Sequence, residues 1–148
     1  MERGFTLVEI IIVLAIIALA AAIAIPNLLR ARINANEGAA QTTLKTLSTG
    51  AESFASANNA DYPTDVAAMV AATPPYINEN YVLVNGGQRQ GYTSAEVSGG
   101  ITGYCYTATP INVGTTGNRT YSIRTGGVMG CDDATICPKA VCTDNNAP

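Results

Sequence analysis

The 148-residue sequence contains no histidine and no tryptophan, only two phenylalanines, and few charges. Without histidine it lacks the commonest general base and the commonest metal ligand, which argues against an enzyme. Lys and Arg number eight, Asp and Glu eleven, and charged residues make up 13% of the chain. The cations are scattered, so no basic face for a nucleic acid is expected. A phosphate-binding glycine loop before a helix is missing, and so is a pair of carboxylates framed by apolar sequence. No cofactor is implied. What is plentiful is Gly, Thr, Ala and Asn, with Tyr (seven) well ahead of Phe. This is the small-residue composition of an exported, β-rich domain, and the length allows one such domain.

Apolar residues are concentrated at one end. Ile10 to Ile25 is an unbroken apolar run, and with Thr6 and Glu9 set aside the apolar character extends from Phe5 to Leu29. A bilayer core needs about 20 helical residues. A secretory signal and a plain N-terminal anchor share this pattern, and Ala20, Ala22 and Ala24 provide small residues for a signal cleavage site.

Glu9 separates these readings. An acidic residue inside a membrane helix costs on the order of 2.5–3.5 kcal/mol at the helix centre and marks a function whose partner must be found. A signal peptide or simple anchor gains nothing from it. Arg3 and Arg30 are the only basic side chains among the first thirty residues. Cleavage after Gly4 would add an amine on Phe5, one helical turn before Glu9. Gly4 admits a protease to an extended backbone, and Arg3 favours a cytoplasmic leader.

The run Arg3-Gly4-Phe5-Thr6-Leu7-Val8-Glu9, followed by a long apolar helix with Pro26 near its end, resembles the cleavage and methylation signal of type IV prepilins. The resemblance is specific over residues 3–30 and loose beyond. It implies that a prepilin peptidase cuts between Gly4 and Phe5 and methylates Phe5. Glu9 would then pair with the Phe5 amine of a neighbouring copy in a homopolymeric filament. The partners implied are that peptidase, the assembly machinery of a bacterial inner membrane, and the lipid bilayer before assembly. Pro26 removes an amide hydrogen and opposes the carbonyl of Ala22, so a kink or local opening is expected there. Two alternatives stay open: a pseudopilin of type II secretion, and a single-pass anchor presenting a binding domain.

The helical period continues past Pro26. Ile33, Ala40, Leu44, Leu47, Ala51 and Phe54 define one buried stripe, with Glu37, Gln41, Lys45 and Glu52 off it. Gly38 and Gly50 each weaken a helix by about 1 kcal/mol relative to Ala, or permit close packing. A helix from Thr6 to Asn59 would be roughly 80 Å long. The expected fold is α+β, pilin-like, with a long helix packed on a small antiparallel sheet. Residues 1–4 form the leader, 5–29 the membrane and filament-core helix, 30–60 its amphipathic continuation, and 61–148 a β-rich head.

In the head, Thr64 reads as the N-cap of a short helix over Asp65–Ala72, stopped by Pro74-Pro75. Tyr81–Val84, Gly91–Val97, Ile101–Thr109 and Arg119–Thr125 read as strands. Asn85-Gly86-Gly87, Ser98-Gly99-Gly100 and Val113–Asn118 read as turns. Tyr104, Tyr106 and Ala108 alternate with Cys105, Thr107 and Thr109, as on a sheet with one face against the long helix. Asp61-Tyr62-Pro63-Thr64 and the Gly-Tyr-x-Tyr-x-Ala-x-Pro run from Gly103 also resemble small pilins and pseudopilins.

Cys105, Cys131, Cys137 and Cys142 read as two disulfides in an exported domain. Three pairings are possible. In one arrangement Cys105 staples the C-terminal loop to the sheet and the other two close a short loop. A zinc site is disfavoured, because Cys-x-x-Cys pairs are missing. Asn118-Arg119-Thr120 is a glycosylation sequon. Asp132, Asp133 and Asp144 lack the spacing of a calcium loop and read as solvated carboxylates.

Overall fold

The computed structural model describes residues 4–82, 87–100 and 102–132. The chain divides into two compact units, one ending at Arg32 and one beginning at Ile33. Helix α1 (Leu7–Ala57) starts in the first and continues into the second.

In the first unit the helix begins where the sequence offers a cap. Glu9 N–H donates to the Thr6 hydroxyl (3.3 Å) and Thr6 N–H donates to the Glu9 carboxylate (2.8 Å). Those reciprocal bonds satisfy amides that a helix start leaves unpaired. Beyond this turn the large apolar side chains are exposed, Ile10 to Leu29 included. The helix is long and apolar enough to cross a membrane. Pro26 lies inside it, with helical backbone on both sides.

In the second unit, α1 supplies one wall of the core. Ala40, Leu44, Leu47 and Ala51 are buried as the period predicts, with Phe54 packed beside them. Glu37 departs from expectation: it is buried, and Glu52 is half-buried. Both face the sheet because tyrosine hydroxyls and backbone amides meet them there. Gly50 is also buried, and a Cβ on it would lie 2.5 Å from Ile77 Cγ2. Close packing is therefore its role, whereas Gly38 has open space around its Cα. The helix ends with Asn59 and Ala60 at positive φ, Ala60 N–H reaching back to Ala55 O at 2.9 Å. That left-handed turn closes the last carbonyls.

Helix α2 (Val66–Ala71) is capped by Asp65 and not by Thr64: the Asp65 carboxylate accepts from Ala68 N–H at 2.7 Å. The carboxylate competes well for this place, since it also suits the positive end of the helix. Its buried residues, Val66 and Met69, face the core.

The sheet is an antiparallel meander in sequence order: β1 (Gln88–Arg89), β2 (Tyr92–Gly100), β3 (Gly103–Pro110), β4 (Tyr121–Arg124) and β5 (Val128–Cys131). The α+β expectation holds. Ser98-Gly99-Gly100 is not a turn, however. A bulge between Glu96 and Ser98 lets these residues keep pairing with Cys105, Tyr104 and Gly103. The reversal thus comes later, after Gly100. Tyr81 and Val82 adopt turn backbone, while the rest of that expected strand and the Asn85-Gly86 turn lie outside the described residues. β1 is too short, and β5 too glycine-broken, to have shown an alternation.

Tyr104, Tyr106 and Ala108 are fully buried on the core side of β3. Cys105 is buried as well, so this strand is covered on both faces near its start. Cys105 and Cys131 are both disulfide-bonded. Cys137 and Cys142, with Asp133 and Asp144, lie outside the described residues.

Candidate assembly site

Gly4, Phe5 and Thr6 precede the helix without regular structure. Among the described residues Gly4 has no neighbour within 4 Å of where a Cβ would stand, and Phe5 is 85% exposed. Both residues flanking the Gly4–Phe5 bond are thus exposed. Glu9 stands one turn on, its Oε2 accepting from Thr6 N–H at 2.8 Å and from the Thr6 hydroxyl at 2.9 Å. Among the described residues the ion pairs are Arg89–Glu79 and Arg119–Glu37, so Glu9 has hydrogen bonds but no counter-charge there.

Thr6 is the hydrogen-bond partner of Glu9 that sequence reasoning missed. Its signal was present, since Thr-x-x-Glu before an apolar run is a capping box. The geometry revises the cost of that charge, because two donors of its own chain already offset part of its desolvation. A net negative charge remains on the carboxylate.

Two further carboxylates of α1 bind the head. Glu37 Oε2 accepts from the Tyr121 hydroxyl at 2.9 Å and from Arg119 at 3.4 Å, and its Oε1 accepts from Asn118 N–H at 3.0 Å. Glu52 Oε1 accepts from the Tyr104 hydroxyl at 2.9 Å and from Gly126 N–H at 2.8 Å, and its Oε2 accepts from the Tyr62 hydroxyl at 3.0 Å. The flanking tyrosines respond to this environment. Burial, then the nearby Glu37, pushes the Tyr92 phenol up to about 12. Burial, with help from Glu52, pushes Tyr104 up to about 12. Tyr106 is driven higher still by burial and by Glu96. These are structural phenols, held neutral across the physiological range.

Among the described residues no group of three or more Cys, Asp or Glu side chains is placed to hold a metal. Asp132 is exposed at the end of β5. Asn118 is exposed too, with its backbone amide tied to Glu37.

Residues 1–25 match the family model described as the prokaryotic N-terminal methylation motif. The chain is 49% identical over 53 residues to the type IV major pilin protein PilA of Myxococcus xanthus, a match covering 36% of this chain and 24% of that protein. It is 42% identical over 69 residues to the type IV wide pilus major component PilA4 of Thermus thermophilus, covering 47% of this chain and 52% of that protein. The chain thus spans between a quarter and about half the length of these relatives. Their family is structural and not enzymatic. The N-terminal segment, with exposed Gly4 and Phe5 and a capped Glu9, carries the prokaryotic N-terminal methylation motif, on a chain that is similar over part of its length to type IV pilus subunits.

Proposed function

We propose that this chain is the structural subunit of a type IV pilus. It enters a bacterial inner membrane by residues 5–29, with residues 1–4 as leader. A prepilin peptidase cuts between Gly4 and Phe5 and methylates Phe5. Assembly machinery then moves the subunit from lipid into an extracellular homopolymer, with residues 30–60 and the head at 61–148 outside the membrane.

One observation carries this reading: among the described residues the apolar surface of α1 from Ile10 to Leu29 is exposed, and the methylation motif overlaps it. Such a surface must be covered first by lipid and then by protein. Cleavage supplies the charge that Glu9 still requires. Methylation of an amine retains that charge, so pairing survives modification. An unpaired carboxylate in a dry core is penalised far more than a paired one, which sets subunit register. Pro26 is a place where the rod can open under load, because its ring leaves Ala22 O without the usual amide.

The test is mass spectrometry of the surface protein together with a Glu9→Ala variant. A mature N-terminus at methylated Phe5 is expected. Glu9→Ala is expected to enter the membrane at normal levels and to give few filaments. An intact leader, or a normal filament yield from the variant, would count against the proposal.

A further inference from the structure

We propose that the loop Ile111–Gly117 is a contact between copies of this chain, with Ile111 and Val113 of one copy resting on the Ile10–Leu29 stretch of another copy's α1. The idea rests on the pilus-subunit reading above.

The loop is braced from several sides. Asn36 Nδ2 donates to Thr116 O at 2.8 Å, and Ile111 N–H donates to Gly91 O at 2.9 Å. Inside the loop, Thr116 N–H reaches Asn112 O at 2.9 Å and Gly114 N–H reaches Gly117 O at 2.9 Å. The Thr116 hydroxyl accepts from Asn112 N–H at 3.1 Å. Gly117 has no room for a Cβ, because the Tyr92 phenol occupies that space. Immediately after the loop, Glu37 holds Asn118 and Arg119.

This bracing fixes the loop backbone, and two of its apolar side chains are exposed. Ile111 is 44% exposed and Val113 is 75% exposed. Residues 110–117 contain no charge. A single exposed apolar residue needs no explanation. Two on one uncharged, pre-ordered turn are different, because binding through them costs little further conformational entropy.

The partner must itself be apolar and uncharged. The chain provides such a surface: residues 10–29 carry no charged side chain, and the large apolar residues there are exposed. In a polymer of identical copies, one such helix is available for each loop. Lipid is the competing apolar surface, and the experiment separates the two.

Val113 of the full chain is replaced by a photoreactive benzophenone amino acid, and sheared filaments are illuminated. The expected product has the mass of two copies, joined from position 113 to a peptide within residues 10–29. Filaments without an adduct overturn the contact. So do adducts confined to one chain, to lipid, to another protein, or to other parts of a second copy. In parallel, Val113→Asp, an exposed change, should leave the membrane level and disulfides intact and lower filament yield about tenfold. An unchanged yield also overturns the contact. Failure of the unmodified chain to form any filament removes the pilus reading and this contact with it. Normal filaments lacking the adduct remove the contact alone.

Discussion

The Tyr121 hydroxyl donates to Glu37 across 2.9 Å, joining the first strand after the braced loop to a buried carboxylate of α1. The same carboxylate holds Asn118 N–H and Arg119, so it organises the entry to β4. Glu37→Ala would leave a buried phenol, an amide and a guanidinium short of an acceptor. A loss of about 3 kcal/mol is expected. Urea unfolding of the detergent-solubilised chain measures it, and Glu37→Gln should recover part of the loss by keeping one carbonyl acceptor.

Gly38 and Gly50 are predicted to respond to alanine with opposite signs. At Gly38 the new methyl meets nothing within 4 Å among the described residues, so Gly38→Ala should stabilise the helix by about 1 kcal/mol. At Gly50 the methyl would strike Ile77 Cγ2, and the overpacking should outweigh the same helical gain by about 1 kcal/mol. Ile77→Val leaves that γ-methyl in place, whereas Ile77→Ala removes it. Only Ile77→Ala should relieve the Gly50→Ala penalty when paired with it in unfolding experiments.

The buried tyrosines predict where the head fails in alkali. Tyr92 and Tyr104 titrate at about 12 in the folded chain, against 10 when free. A raised folded value means the stabilisation is complete below 10 and is lost as pH rises towards 12. Unfolding midpoints should therefore fall across that window. Tyrosinate absorbance should rise in step with loss of structure, and Tyr104→Phe should soften the dependence.

Glu96 gives a second pH effect, in the acid range. It sits beside a cleft formed with Asp65, Val66, Asn80 and Val82, and its Oε2 accepts from Val66 N–H at 3.3 Å. Among the described residues its buried Oε1 has no hydrogen-bond partner. Burial, opposed by the Val66 amide and aided by Asp65, raises its titration point above the free carboxylate value of 4.5. The sign follows: its contribution is fully present below 4.5 and is lost as pH rises through the folded value. Glu96→Gln should thus stabilise the head at neutral pH by roughly 1 kcal/mol or less, since the site is partly screened. Stability measured at pH 4.5 and pH 7 tests this, and a destabilised variant at both would refute it.

Period and motif were legible wherever burial follows apolarity. Ala40, Leu44, Leu47 and Ala51 fall on the predicted stripe, and Tyr104, Tyr106 and Ala108 on the predicted face. Gly4, Phe5 and Glu9 stand out through the resemblance of residues 3–9 to a prepilin signal, and residues 1–25 match the methylation motif. Glu37 and Glu52 were misread because a helical pattern assigns carboxylates to water by default. Whether one is buried depends on donors that are distant in sequence, here Tyr121 and Tyr104. The cap of α2 moved by one residue because Thr64 and Asp65 are both competent, and local sequence does not rank them. β1 and β5 were missed because two residues, or four with a glycine, display no period; strand pairing alone defines them.

Glu37 and Glu52 lie about 22 Å apart along α1, with tyrosines of the sheet attached to each. Fastening at two heights removes both rotation about the helix axis and sliding along it. A slip of one turn would strand two carboxylates in the core. The head is therefore indexed to its helix as a flag is to its pole. In any ordered array, whatever sets the azimuth of residues 37 to 52 of α1 also sets which loops every copy turns outward.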